Sequence, residues 1–351
     1  MGWFMRFLRG RATLAVVAGA LVLAACGRGA GPASLPASLS PAVASAAALP
    51  AHVLYVVNGK FNLDEDGLVT VYSGSKPLGT LKSRVPALFH GALGLDQKGN
   101  LYIAGGLSEA VYAYGPRGTG TARKITKGLR RPLALQLGGP GTLYVANLFG
   151  NDITVYPTGS SNVSRKISAD VKDPSGLALG AGLLFVIGSS SGNKVNVYTA
   201  GPTGANRLLR TISNGVSGPL ALAFDRGNLY VANSNNTVTV YAKGMPTLTR
   251  TISNGIAGPT ELAFDGSHNL FVLNHSGHSV TIYAKGKETL TGTITDTLTN
   301  PFGMAVSADG TLYVSNYSVT GYVSVYRTTS TGGTMIGKID GVYPSLLVVA
   351  P

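Results

Sequence analysis

Cysteine is almost absent from this chain, and acidic residues are scarce. Cys26 is the only cysteine, so no disulfide framework is available, and no cysteine–histidine pair is recognised in the sequence. Fifteen acidic residues stand against 28 basic ones, which gives a formal charge of +13. This excess predicts attraction to anionic surfaces such as lipid head groups and acidic glycans, and a generally basic surface without a specific partner is the alternative.

Two further features are missing. No serine nucleophile elbow or phosphate-cradling glycine loop is recognised, which leaves no familiar catalytic motif. No helical period is found beyond the first residues, and glycine is abundant. Short β-branched and aromatic runs separated by Gly, Asn and Asp are typical of strands joined by tight turns. The sequence therefore predicts an all-β protein.

Residues 1–25 have the pattern of an export signal. A positive start with three arginines is followed by the apolar run 12–25, which is too short for a transmembrane helix of about 20 residues. The run ends in Leu23-Ala24-Ala25-Cys26, which resembles the bacterial lipobox. This resemblance implies cleavage before Cys26 and acylation of that residue, and thus a membrane-anchored lipoprotein. A plain secretory signal with an incidental cysteine is the alternative.

The segment after the signal predicts a tether. Residues 26–51 consist mostly of Ala, Ser, Pro and Gly, so we expect a flexible linker between the lipid and a domain that fills residues 52–351. Gly27 replaces the aspartate that commonly marks retention in the inner membrane, which favours the outer membrane or the cell surface. We expect a monomer, and export argues against a nucleic-acid partner.

A four-residue strand pattern ending in tyrosine occurs seven times. The spacing between successive tyrosines is always 42 or 43 residues, which is the signature of a repeat architecture. The copies are Val69–Tyr72, Val111–Tyr114, Ile153–Tyr156, Val195–Tyr198, Val238–Tyr241, Val280–Tyr283 and Val323–Tyr326. A second pattern, Leu-Tyr-Val or a close variant, precedes each copy. Its apolar residues on both faces predict sheets that pack on both sides.

The two ends of the domain complement each other. The first repeat begins at its second strand, His52-Val53-Leu54-Tyr55, with no first strand before it. The last residues, 343–350, match the first-strand pattern of residues 219–224. The C-terminal strand is therefore predicted to complete the first repeat, which would remove an open edge. The prediction is a seven-bladed β-propeller of four-stranded blades.

The Leu-Tyr-Val-Ala-Asn runs Leu143–Asn147 and Leu229–Asn233, each followed by the tyrosine strand, resemble YVTN and NHL-type β-propeller repeats. The resemblance covers roughly residues 52–351. It implies the propeller fold, with ligands bound around the mouth of the central channel. Relatives include extracellular binding proteins, lactonases and a streptogramin lyase, so the resemblance does not decide the activity.

Asparagine ends the second strand in five of the seven repeats. The residues are Asn58, Asn147, Asn233, Asn274 and Asn316. A ring of amides facing a ligand is one interpretation, and bonding of the local turn is the alternative. Arg130 and Arg131 lie in a loop between repeats, where they could hold a carboxylate or phosphate or form a solvated basic surface.

No cofactor is expected, with calcium or another divalent metal as an open alternative. Asn62, Asp64 and Asp66 alternate before a glycine as in the opening of a calcium loop, but the acid at its twelfth position is missing. His275 and His278 could supply half of a metal site. No glutamate accompanies them in that segment, and a turn-surface role is the alternative.

Two functions follow from these residues. The first is a lipid-anchored binding scaffold with no catalytic residue and an unknown protein, glycan or small molecule as ligand. The second is a metal-dependent hydrolase or lyase, lactonase-like or streptogramin-lyase-like, at the channel mouth. The differences between repeats, rather than the repeats themselves, are the places to look for either function.

Overall fold

The computed structural model describes residues 52–58, 68–81, 91–105, 108–139, 142–157, 159–190, 192–201, 206–242, 245–287, 289–317, 321–342 and 344–350. The predicted signal, Cys26, the linker, and the residues Asn62, Asp64 and Asp66 lie outside these ranges. Among the described residues, no helix has the length and apolar character that a membrane span requires.

The described residues form 28 strands in seven sheets, and we number the sheets as blades 1 to 7 along the chain. Blade 1 consists of β1 (Val53–Asn58), β2 (Leu68–Ser73) and β3 (Lys76–Thr80) with the last strand, β28 (Pro344–Val349). Blade 2 consists of β4 (Ala92–Leu95), β5 (Asn100–Gly105), β6 (Ala110–Pro116) and β7 (Arg123–Ile125). Blade 3 consists of β8 (Pro132–Gly138), β9 (Thr142–Asn147), β10 (Asp152–Pro157) and β11 (Arg165–Ile167).

The other four blades follow the same order. Their strands are β12 (Pro174–Gly180), β13 (Leu183–Gly188), β14 (Val195–Thr199) and β15 (Leu208–Ile212); β16 (Pro219–Asp225), β17 (Asn228–Asn233), β18 (Thr237–Ala242) and β19 (Leu248–Ile252); β20 (Pro259–Phe264), β21 (Leu270–Asn274), β22 (Ser279–Tyr283) and β23 (Leu290–Ile294); and β24 (Pro301–Val306), β25 (Thr311–Asn316), β26 (Tyr322–Thr329) and β27 (Gly332–Asp340).

Each blade is a four-stranded antiparallel sheet, and the blades form a closed ring. The first strands contact one another in the order β4, β8, β12, β16, β20, β24 and β28, and β28 contacts β4 again. These first strands are therefore the innermost ones and surround the central channel. The chain is a seven-bladed β-propeller, and the predicted fold class is confirmed.

Ring closure follows the prediction from the two chain ends. Strand β28 pairs antiparallel with β1, with Leu347 opposite Val56 and Val348 opposite Tyr55. The N-terminal and C-terminal strands thus share blade 1, and the edge of β1 that would otherwise be unpaired is covered.

Alternation along the second strands explains why both of their faces are apolar. In β1, Tyr55 and Val57 pack into the core shared with blade 2, whereas Leu54 and Val56 pack into the core shared with blade 7. Successive side chains of a strand point to opposite faces, so a blade between two neighbours needs apolar residues at every position. The hydrophobic core is therefore divided into layers between blades.

The repeated tyrosine of the third strand has a polar role as well as a packing role. In five blades its hydroxyl donates to a backbone carbonyl of the loop that leads into the same blade, at 2.5–2.6 Å. The tyrosines are Tyr156, Tyr198, Tyr241, Tyr283 and Tyr326, all fully buried. Each one ties its sheet to the loop between blades, which explains why this position does not vary.

Backbone hydrogen bonds place two kinds of loop at the same end of the ring. Leu148, which follows the second strand of blade 3, donates its N–H to the carbonyl of Arg131 in the loop between blades 2 and 3. His275 and Gly258 repeat this contact in blade 6. The turns after second strands and the loops between blades therefore lie together at one end of the channel, which we call the channel mouth.

Candidate functional site

The asparagines that end the second strands lie inside the blades. Four of them, Asn147, Asn233, Asn274 and Asn316, have an exposed fraction of 0%. Each side-chain oxygen accepts a backbone N–H of the loop between blades at 3.0–3.2 Å. Each side-chain nitrogen donates to a third-strand hydroxyl at 2.7–3.1 Å. The amides satisfy the chain's own polar groups, which supports the local-bonding alternative, and they present no surface to a ligand.

The backbone just before the first strand is left-handed in several blades. Gly218 and Gly258 have φ values of 51° and 65°, and glycine adopts this region without strain. At the same position Arg131 has a φ of 51° and Asp173 a φ of 41°. A residue with a side chain costs about 1–2 kcal/mol in this region, so blade 3 holds an arginine where glycine would be unstrained.

The side chain of Arg131 lies over the ring of Phe149, with 4.7 Å between the guanidinium carbon and the ring centroid. Its Nε is buried and has no hydrogen-bond partner, and burial lowers the pKa of the guanidinium. Phe149 is 63% exposed, and Arg130 is exposed beside them. We call Arg130, Arg131 and Phe149 the arginine–phenylalanine patch. It is a cation with an unused donor next to an exposed aromatic ring.

The two histidines lie at the mouth of blade 6. His275 is partly buried and its Nδ1 donates to the carbonyl of Pro301 at 2.8 Å, whereas His278 is exposed. Within the described ranges, no group of three or more His, Cys, Asp or Glu side chains could hold a metal ion. A metal site that combines these histidines with Asn62, Asp64 and Asp66 remains a prediction.

Glu261 is a candidate that the sequence analysis missed. It lies on the inner strand β20 and pairs with Leu273, two residues before His275. The equivalent positions hold only small or apolar residues: Ala92, Ala134, Gly176, Ala221, Gly303 and Leu346. A glutamate does therefore accompany the histidines, on the neighbouring strand. The signal in the sequence is one acid within a repeated apolar strand pattern.

The carboxylate of Glu261 reaches the next blade. Its Oε2 accepts the backbone N–H of Met304 at 2.6 Å, and His275 contacts Pro301 on the same strand, β24. Burial raises the pKa of Glu261 to about 8, because the charged form loses water. The carboxyl group is thus largely protonated at neutral pH, as a general acid would be.

The sequence does contain one serine with the spacing of a nucleophile elbow, although none was expected. Gly188, Ser190 and Gly192 have the spacing of a nucleophile elbow. An elbow needs a helix after the serine, and here strand β14 follows. The spacing therefore belongs to a hairpin turn, and it provides no activated nucleophile.

No family model matches this chain, and no curated protein matches it. Solved structures share its fold. A proposed 6-phosphogluconolactonase from Bacteroides uniformis is 14% identical with a TM-score of 0.69, over 86% of this chain and 100% of the other. A second, from Bacteroides fragilis, is 16% identical with a TM-score of 0.65, over 86% and 98%. A chain of the mitotic checkpoint complex is 13% identical with a TM-score of 0.64, over 91% and 90%. Identities this low show the fold alone.

Proposed function

We propose that the chain is an exported, lipid-anchored β-propeller that binds an anionic ligand or partner at the channel mouth and catalyses no reaction. The arginine–phenylalanine patch carries the proposal. The patch is confined to blade 3, and it keeps Arg131 in a backbone conformation that glycine would adopt without strain. A side chain held against a backbone cost is a candidate for function.

The chemistry of the patch favours an anion. Arg130 is exposed and Arg131 is partly exposed, and their guanidinium groups would form charge-assisted hydrogen bonds with a carboxylate or phosphate. Phe149 would add apolar contact, and arginine and aromatic side chains are enriched among the residues that dominate binding interfaces. The chain stays strongly basic after the three arginines of residues 1–25 are removed with the signal, and this charge would attract such a partner from a distance.

Binding of poly-L-glutamate to the full-length chain tests this function, with neutral dextran as the negative probe. Arg131→Ala should weaken the interaction about 10-fold, which corresponds to ~1.4 kcal/mol. The matched control is Arg226→Ala. Arg226 is exposed, has a left-handed backbone (φ 44°) and lies in the turn between β16 and β17, at the other end of the channel. Equal losses in both variants would reduce the effect to overall charge and contradict the proposal.

The anchor requires a separate test. Cys26→Ser removes the thiol that acylation needs, so the variant should leave the membrane fraction while the wild-type chain stays in it. Release of the variant with unchanged polyglutamate binding would support anchoring and binding as independent properties. A variant that stays in the membrane fraction would contradict lipidation at this residue.

A hydrolase or lyase is the second candidate, and Glu261 is the observation that favours it. A carboxyl group with a pKa of about 8, on the inner strand beside His275, has the protonation state of a general acid. The two Bacteroides neighbours, proposed lactonases, suggest a sugar lactone as the substrate to assay. Lactone hydrolysis followed by pH-stat should occur in the wild-type chain and be lost in Glu261→Gln. No hydrolysis above the uncatalysed rate by the wild-type chain would contradict this candidate.

A further inference from the structure

The clefts between neighbouring blades are built from equivalent positions, so their fillings can be compared. Near the end of each first strand, one residue pairs with the leucine that begins the second-strand pattern. In two clefts this residue contacts the aromatic side chain in the second strand of the preceding blade. Between blades 4 and 5, Phe224 stacks on Phe185 with 5.5 Å between ring centroids. Between blades 5 and 6, Phe264 contacts Tyr230 edge to face at 4.9 Å. Aromatic rings therefore fill these two clefts.

Aliphatic residues have this position in the other five clefts, and the cleft between blades 2 and 3 is one of them. Leu137 takes the position of Phe264, since each pairs with the leucine that begins the second-strand pattern. A cavity of about 600 Å³ lies in this cleft. Its size falls within the roughly 300–1,000 Å³ of small-molecule sites. Part of its wall consists of Asp96, Lys98, Tyr102, Tyr114, Arg123 and Gly138.

This cavity lies at the end of the ring opposite the channel mouth. Asp96 and Asn100 belong to the turn between β4 and β5, a first-to-second-strand turn. The carboxylate of Asp96 is occupied by that turn: its Oδ1 accepts the N–H groups of Lys98 and Asn100 at 2.9 Å, and its Oδ2 accepts the amide of Asn100 at 2.7 Å. Asp96 therefore shapes the wall and has little hydrogen-bonding capacity left for a ligand.

The two cationic side chains of the wall, Arg123 and Lys98, have fewer hydrogen-bond partners within the protein than Asp96. Arg123 donates to Ser161 at a long 3.3 Å and to the hydroxyl of Tyr102, and a guanidinium has five N–H donors. Lys98 is exposed, and within the described ranges neither cation forms an ion pair. The wall thus offers two positive groups beside the buried rings of Tyr102 and Tyr114.

The next cleft provides the contrast. Arg165 has the position of Arg123 one blade further on, and its guanidinium donates to Asn206, to the carbonyl of Gly201 and to Ser164. The cavity of that cleft, about 460 Å³, has no charged side chain among its described lining residues. The chain itself satisfies Arg165, whereas Arg123 retains donors.

We infer that the cavity between blades 2 and 3 binds a small organic anion, a phosphate or carboxylate of about the size of a hexose derivative. Arg123 and Lys98 hold the anionic group through charge-assisted hydrogen bonds. Tyr102 and Tyr114 contact the carbon skeleton and its hydroxyl groups. The site is separate from the channel mouth and does not depend on the function proposed there.

Isothermal titration calorimetry on the full-length chain tests this site with four probes: glucose 6-phosphate, gluconate, inorganic phosphate and neutral glucose. The two organic anions distinguish phosphate from carboxylate, and inorganic phosphate shows whether the carbon skeleton contributes. At least one organic anion should bind, more tightly than inorganic phosphate, and glucose should not. Arg123→Ala should weaken its binding by about 10-fold or more, because a charge-assisted bond is lost.

Arg165→Ala is the matched control, and it should leave the affinity unchanged. Lys98→Ala changes an exposed side chain and keeps the proposal testable if Arg123→Ala fails to fold; it should weaken binding about 3-fold. Absence of binding by both organic anions at millimolar concentration, or equal losses in Arg123→Ala and Arg165→Ala, would overturn the inference.

Discussion

Two regions of this propeller differ in whether their polar residues are repeated from blade to blade. The first is the layer of second-strand asparagines and third-strand tyrosines, represented by Asn233 and Tyr241, which are fully buried and bonded to the loop between blades. The second is the inner wall and rim, where Arg131 and Glu261 each occur in one blade and carry left-handed backbone or a perturbed pKa. Polar residues that recur in most blades stabilise the ring. Polar residues that occur in one blade are the candidates for function.

The strongest test of the repeated region is removal of the strand that closes it. Deletion of residues 344–351 removes β28, which pairs with β1 and packs against β4 and β24. Blade 1 would lose its inner strand and expose an unpaired edge. We expect loss of cooperative unfolding and aggregation, measured by thermal denaturation and light scattering. A soluble truncation with a single sharp transition would show that the ring does not need closure.

A single buried amide should have the next largest effect. Asn233→Ala removes the acceptor of the Ser217 N–H and the donor to Thr239, both inside the protein. Leaving these groups unsatisfied should lower the free energy of unfolding by about 3–4 kcal/mol, measured in urea. Asn235→Ala, an exposed asparagine two residues away, is the control. If both variants lose equally little, the layer does not stabilise the ring.

The sequence predicts the repeated region well because the sequence patterns of its second and third strands each occur seven times. Strand order, blade number and closure by the last residues all follow from the spacing of tyrosines such as Tyr241. The candidate sites were harder to predict. Glu261 looks like an ordinary strand residue until the ring shows that six equivalent positions are small or apolar. The free donors of Arg123 and the bonded ones of Arg165 share one motif, Arg-Lys-Ile, and only three-dimensional contacts separate them.

The inner wall predicts a pH dependence that the repeated layer lacks. The pKa of Glu261 is raised by burial from 4.5 to about 8, so the folded state holds a proton that the unfolded state releases. Its contribution to stability is fully present below pH 4.5 and is lost as the pH rises through about 8. Glu261→Gln does not titrate and can still accept the Met304 N–H. The full shift corresponds to about 5 kcal/mol, but Glu261 keeps part of its surface exposed to water, so the variant should gain about 2–3 kcal/mol relative to wild type across this window.

Urea denaturation at several pH values measures that gain. Glu109→Gln, which removes an exposed glutamate of blade 2, controls for the change in net charge. Parallel stability profiles for wild type and Glu261→Gln would mean that the carboxyl group titrates alike in the folded and unfolded chains. Glu261 would then belong with the residues that only support the ring.

The smallest expected effect is the energy cost of the left-handed backbone at Arg131, measured apart from the loss of its side chain. Arg131→Gly and Arg131→Ala both remove the guanidinium, so the difference between them reports the backbone alone. At a φ of 51°, glycine should be the more stable by about 1 kcal/mol, and Asp173 should behave in the same way. Asn300 has the equivalent position in blade 7 without a positive φ, and there alanine should equal or exceed glycine. If Arg131 followed the pattern of Asn300, the arginine would carry no backbone cost. The rim of blade 3 would then lose one of its differences from blades 5 and 6, which have glycine at this position, and with it one physical reason for assigning the ligand to this patch.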